Sequence, residues 1–188
     1  MAKKKSKKKG FTDSGLKTIL FVATLTFVVG IFIVAHYSDR IIAPGPKTKP
    51  SVSVSRDINL YLSDEEGLML KAISRNISKG PLEKELGEAV AALINDPSST
   101  IPAGTRLLGV KVTGEVAFID FSSEIIKNHT GGSSGETQTI YSIVDTVTLN
   151  FPKVKEVQIL VEGRTEKTLA GHIDISMPLA PDMDIISD

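Results

Sequence analysis

The stretch NHTGGSSGETQTIYSIVDTV begins at Asn128, and within it Gly131, Gly132, Ser133, Ser134 and Gly135 fit the pattern G-x-S-x-G. Asp145 and then His172 follow, so the chain order is Ser, Asp, His. Such side chains can form a hydrolase triad in which serine attacks, histidine takes its proton and aspartate orients the histidine. The elements that would position them argue against it. A nucleophile elbow needs a buried strand running straight into the serine turn. Here the approach, SSEIIKNHTGG, is polar, and the nearest predicted strand ends at Phe121. Asp145 lies in the same predicted helix as Ser133, about 18 Å further along its axis. It cannot orient a histidine that touches Ser133.

A helix start accounts for the same residues. Ser133 and Glu136 have the S-x-x-E spacing of a capping box, in which each side chain bonds the backbone N–H of the other. Gly131 and Gly132 let the chain turn into the helix. The alternative is a ligand site, because a glycine-rich helix start presents free N–H groups to phosphate or carboxylate. Gly131, Gly132, Ser133, Ser134 and Gly135 are the candidate anion-binding residues. No G-x-x-x-x-G-K-[ST] occurs and the loop has no lysine, so it is not a nucleotide P-loop.

Other chemistry-bearing residues carry weaker signals. His36, His129 and His172 are far apart and lack H-x-H or H-E-x-x-H spacing. His172 with Asp174 has the types for a metal or for acid–base work, yet a lone histidine beside a strand is more often structural. Asp120, Ser122 and Glu124 follow a strand end, where such residues bond the local backbone. Asp182 and Asp184 resemble two calcium ligands, but the loop glycine and terminal glutamate are missing. Asn76-Ile77-Ser78 and Asn128-His129-Thr130 are glycosylation sequons only in a cell with that machinery. The 188-residue chain has no cysteine, which removes disulfides, thiolate catalysis and cysteine metal sites. No catalytic residue, metal or cofactor is assigned.

The elements follow from periodicity. DINLYL alternates Ile58, Leu60 and Leu62 as a strand, and LMLKAISRNI is its expected hairpin partner across Asp64, Glu65, Glu66 and Gly67. Gly80-Pro81 opens a helix with Leu82, Leu86, Val90, Leu93 and Ile94 on one face, ended by Asn95-Asp96-Pro97. RLLGVKV and VAFIDF flank Thr113-Gly114-Glu115 as a second hairpin. Residues 133–150 place Ile140, Val144 and Val147 at helical spacing before Phe151 and Pro152, which stops the helix. EVQILV is a further strand, AGHIDISMPL adds a short one through Ile173 and Ile175, and APDMDIISD reads as loose. Strand pairs separated by helices predict an α+β domain, with one mixed sheet packed on two main helices.

Charge is distributed unevenly. Seven lysines and one acid, Asp13, precede the first long apolar run, while from His36 onward there are 15 basic and 21 acidic residues. The run TILFVATLTFVVGIFIVAHYS, 18–38, contains no Asp, Glu, Lys or Arg. As a helix it spans about 31 Å, against a bilayer core of about 30 Å. It reads as a retained transmembrane helix, weighed against a cleaved signal peptide and a buried core helix. It exceeds the usual length of a signal h-region, and the cut after Ile33-Val34-Ala35 lacks a small residue at Ile33. The flanking lysines keep the N-terminus in the cytoplasm and the remainder outside. The expected organisation is a basic tail over 1–17, a transmembrane helix over 18–38, a Pro-rich linker over 39–55, a domain over 56–180 and a flexible tail over 181–188.

The order of motifs carries a resemblance. LYLSDEEGLML precedes a helix ending ALINDP, followed by IPAGTRLLGVKVTGEVAFIDFSSEI, GGSSGETQTIYSIVDTV, FPKVKEVQILVEG and AGHIDISMPL. The run from about Ile58 to Leu179 resembles the GerMN domain of sporulation and spore germination proteins. That resemblance implies an extracytoplasmic bacterial domain, often membrane-tethered, similar in fold to the small ring-building modules of envelope assemblies. It implies no catalytic residues. Asp96-Pro97 stands where family members commonly have Gly-Pro. The expected role is a binding or scaffold domain in the bacterial cell envelope. Its expected partners are the membrane, other envelope proteins or further copies of itself, and not nucleic acid. The alternatives are a peptidoglycan or anionic wall-ligand module at residues 131–135, and an envelope hydrolase using Ser133 or His172.

Overall fold

The structure is a computed structural model that describes residues 13–41 and 54–187. It divides into two compact units, Met1–Ser51 and Val52–Asp188. The basic tail and the linker fall mostly outside the described residues.

In the first unit, helix α1 (Asp13–Ile41) continues past both ends of the apolar run. Its stretch Lys17–His36 has a mean hydropathy of 2.6 and exposes its side chains along its whole length. This helix is long and apolar enough to cross a membrane. Its two central hydroxyls are satisfied within the helix. Thr24 donates to the Leu20 and Phe21 carbonyls, and Thr26 to those of Val22 and Ala23. Such back-bonding lets a hydroxyl sit in an apolar surround without a lost hydrogen bond.

The second unit is α+β. Strands β1 (Ser55–Ser63) and β2 (Leu70–Ser78) form an antiparallel hairpin, Ser55 opposite Ser78 and Ser63 opposite Leu70. Helix α2 (Leu82–Asn95) follows, then β3 (Leu107–Thr113), β4 (Val116–Phe121), the short α3 (Glu124–Lys127) and α4 (Ser133–Asn150). Strands β5 (Glu156–Val161) and β6 (Arg164–Thr165) complete a four-stranded mixed sheet in the order β3-β4-β5-β6. Within it β4 and β5 are parallel, joined by a crossover through α3 and α4.

The strands do not form the single sheet expected. The first hairpin stands apart because helix side chains occupy the outer edge of β1. The Asn150 amide accepts from the Asn59 N–H at 2.8 Å and donates to the Asn59 carbonyl at 2.7 Å. One turn earlier the Thr146 hydroxyl accepts from the Tyr61 N–H at 3.0 Å. Thr146 and Asn150 thus satisfy β1 as a neighbouring strand would, and no further strand can join there.

Helix α4 lies in the middle of the unit. Ile140, Ile143, Val144 and Val147 are fully buried, but so are Ser142, Asp145 and Thr146. The apolar stripe is where its spacing places it. The other face is covered by the hairpin and the C-terminal segment. On α2, Leu86, Val90 and Leu93 are fully buried while Leu82 and Ile94 are partly so.

Two expectations about the C-terminal part are corrected. Ile173 and Ile175 form no strand. Ile175 is fully buried, its N–H donating to Lys167 O and its carbonyl accepting from Gln158 Nε2. The bridge forms later, where Leu179 and Val157 exchange two backbone bonds of 2.9 Å. The tail is not loose. It makes a 3-10 turn at Met183–Ile185 and a parallel bridge from Ile186 to Leu70, with the Ser187 N–H donating to Leu70 O at 2.8 Å. Half-buried Ile185 and Ile186 give it an apolar side that the polar composition hid.

Candidate functional site

The glycine loop that opens α4 adopts left-handed backbone at Gly131 and Gly132, with φ of 82° and 84°. An L side chain is strained there, which explains both glycines. The N-cap is Gly132, with no side-chain cap bond, and Ser133 is the first helical residue. The capping box does not form. Ser133 and Ser134 are exposed, and Glu136 turns away from the helix start to a distant loop.

That loop, 169–172, wraps the Glu136 carboxylate. Oε1 accepts from the Leu169 and Ala170 N–H groups, each at 2.8 Å. Oε2 accepts from the His172 N–H at 2.7 Å and faces His172 Nδ1 at 3.1 Å. Three backbone bonds to an ionised acceptor outweigh one capping bond, which is why the distant loop wins. Burial by itself would raise the Glu136 carboxyl. The N–H groups of Ala170, His172 and Leu169 and the His172 ring overcome it and hold the group below its usual range.

His129, just before the glycines, is held neutral. Its Nδ1 accepts from the Gly131 N–H at 3.0 Å. Its Nε2 lies 3.3 Å from the Thr139 hydroxyl, whose proton goes to Thr100 O at 2.9 Å. Thr139 is therefore an acceptor for Nε2–H, and the network requires the Nε2-protonated tautomer. Burial lowers its pKa, with the Glu136 charge opposing. His129, Asn128, Thr130, Gly135, Thr100 and Thr139 line a cavity of about 180 Å³ beside the helix start, where the buried Thr100 hydroxyl has no hydrogen-bond partner.

The three triad-type residues have separate surroundings. Ser133 is exposed at the first turn of α4, and His172 faces Glu136. Asp145 is fully buried further along α4, where its Oδ1 accepts from the Asp182 N–H at 3.1 Å and its Oδ2 has no partner. Burial pushes the Asp145 carboxyl up to about 7, the Asp182 N–H opposing and the Asp182 carboxylate adding to the rise. His172 and Asp174 do not act together, since Asp174 accepts from the Ser176 N–H and hydroxyl.

The remaining candidates brace the fold. Asp120 accepts from the Gly163 N–H at 2.8 Å, fastening the turn between β5 and β6 to the end of β4. The Ser122 hydroxyl accepts from the Arg106 N–H at 3.0 Å. Asp182 accepts from the Asp184 N–H, closing the last 3-10 turn. Asn76 donates to Asp57, and Asn128 donates to Ala103 O. Among the described residues no three His, Asp or Glu side chains gather as a metal site.

Sequence reasoning missed the Glu136 clasp, the Asp145 contact and the Thr146 and Asn150 edge. Asp145 carried a faint signal, a lone acid in the run Ile143-Val144-Asp145-Thr146-Val147. The partners of Glu136 and Asn150 lie more than 30 and 90 residues away and leave no local pattern.

These features define a class: a small α+β domain following an apolar helix, its buried acids spent on holding distant loops. The family of sporulation and spore germination domains, Germane, matches residues 59–167, and the chain belongs to it. The matching region is a single GerMN-type domain. A Clostridium perfringens protein described as a lipoprotein is 27% identical, with a TM-score of 0.50 over 67% of this chain and 87% of that one. The tandem GerMN domains of the sporulation protein GerM from Bacillus subtilis share the fold at 20% identity and a TM-score of 0.52. That match covers 68% of this chain and 46% of the tandem protein, so the chain spans about half of its length. No curated protein sequence matches the chain.

Proposed function

We propose that this protein is a membrane-anchored binding or scaffold domain of the bacterial cell envelope, with its N-terminus in the cytoplasm and its GerMN domain outside. The observation that carries this reading is the employment of the reactive side chains. Asp145 accepts from the distant Asp182 backbone and the His172 ring faces the Glu136 carboxylate, whereas the surface offers separate exposed apolar side chains at Leu68, Leu108, Met177 and Met183. Family membership supports a place in sporulation, germination or envelope assembly, and α1 supports the anchor. Confinement to a membrane raises the local concentration of partners, so modest contacts suffice. The test is in-cell photo-crosslinking of the full chain with the probe placed at Leu68, Leu108, Met177 or Met183. Discrete adducts to itself or to one envelope protein are expected. A folded, abundant protein giving no adduct at any of the four positions sinks the scaffold reading.

The second reading is a peptidoglycan or anionic wall-ligand site at Gly131, Gly132, Ser133, Ser134 and Gly135. The adjacent cavity and its unpartnered Thr100 hydroxyl favour it. Ser133→Glu with Ser134→Glu should abolish sedimentation with isolated wall material. Unchanged sedimentation excludes this loop.

A further inference from the structure

The C-terminal segment 179–187 is a strap held at three points. Leu179 is bonded to Val157 on β5, the Asp182 N–H to Asp145 on α4, and the Ser187 N–H to Leu70 on β2. The outer two are ordinary backbone contacts. The middle one rests on a fully buried carboxyl whose second oxygen has no partner. A protonated carboxyl there is a neutral group lacking one bond. An ionised one is a buried charge with half its hydration unreplaced, which is far costlier.

Beyond the Asp182 N–H, its surroundings offer no compensation. The titratable groups that face it are Tyr61 from β1, Tyr141 from one turn earlier on α4, and Asp182 from the strap itself. Two are neutral and the third is an acid. Water is the remaining way to stabilise the ion, and the strap, whose Asp182, Ile185 and Ile186 are half-buried, is docked at Asp145 and at Leu70.

We propose that the strap is a proton-operated latch, closed over α4 while Asp145 is protonated and lifted along 182–187 when Asp145 ionises. Lifting has a consequence at β2. Ser187 occupies the outward carbonyl of Leu70, and Glu88 accepts the outward N–H of Ser78. Between them the alternate residues Ala72, Ser74 and Asn76 turn their N–H groups away from β1. The latch therefore covers the first position of the outer edge of β2, and its release uncovers the Leu70 carbonyl.

The test is amide hydrogen exchange of the full chain in lipid nanodiscs at pH 6 and pH 8.5, with rates corrected for intrinsic pH dependence. Protection at Asp182 and Ser187 is expected to fall at the higher pH by about tenfold or more beyond any fall at the amides of α2, which report global stability. In Asp145→Asn, which stays neutral at both values, the strap should be equally protected. Equal protection in the wild-type chain at both pH values overturns the latch. So does a pH response that persists in Asp145→Asn.

Discussion

Two buried acids in one helix respond to pH in opposite directions, although both accept bonds from distant backbone. Glu136 is surrounded by donors, so its folded-state pKa is depressed. Its contribution to stability is present above the unfolded pKa and is lost as pH falls through the folded one. Asp145 has one donor and an unpartnered oxygen, so its pKa rises from 3.8 to about 7. Its contribution is fully present below 3.8 and is lost as pH rises to about 7. That difference corresponds to about 4 kcal/mol across the window. Urea denaturation of the wild-type chain should show stability declining between pH 5 and 7. Asp145→Asn should flatten that decline, and an unaltered slope would show that Asp145 is solvated in the folded state. Glu136→Gln places an amide NH2 where N–H groups already converge, and should cost about 2–3 kcal/mol at neutral pH. A midpoint within error of wild type would mean that the 169–172 loop does not depend on this clasp.

At the scale of elements, helix α4 substitutes for a strand. Thr146→Val keeps the shape but leaves the Tyr61 N–H without an acceptor, a loss of about 1–3 kcal/mol for a buried donor. Asn150→Ala removes both bonds to Asn59. In the double variant, hydrogen exchange at Asn59 and Tyr61 should accelerate while the bonds between β1 and β2 stay protected. Acceleration across both strands together would instead mean that hairpin and helix open as one unit. The hydrophobic periods located α2, α4 and the strands well, because a buried stripe is a local property of a repeating backbone. The separation into two sheets was not legible, because it depends on two polar side chains whose partners are 85 and 91 residues away.

For the whole molecule, α1 and the folded domain belong to separate compact units. Deleting residues 1–41 should move the protein from the membrane fraction to the soluble fraction without changing its unfolding midpoint by more than about 0.5 kcal/mol, since the two units are separately compact. Membrane retention after the deletion would show that the domain binds the envelope by itself, and would favour the wall-ligand reading over a passive tether.

The sequence by itself determined what depends on local order: the apolar run and its lysine flank, helices α2 and α4 and strands β1 to β5, the glycine turn into α4, the α+β class and the motif order of the family. It also argued against the Ser133, Asp145 and His172 triad, because twelve residues along one helix separate the first two whatever surrounds them. Only the tertiary structure decided where the buried polar groups bond. Glu136 abandons its capping box for the 169–172 loop, Thr146 and Asn150 complete a strand edge, and the tail docks over Asp145. Each choice compares a weak local bond with a stronger distant one. The distant partner comes within reach only after the core has closed around α4.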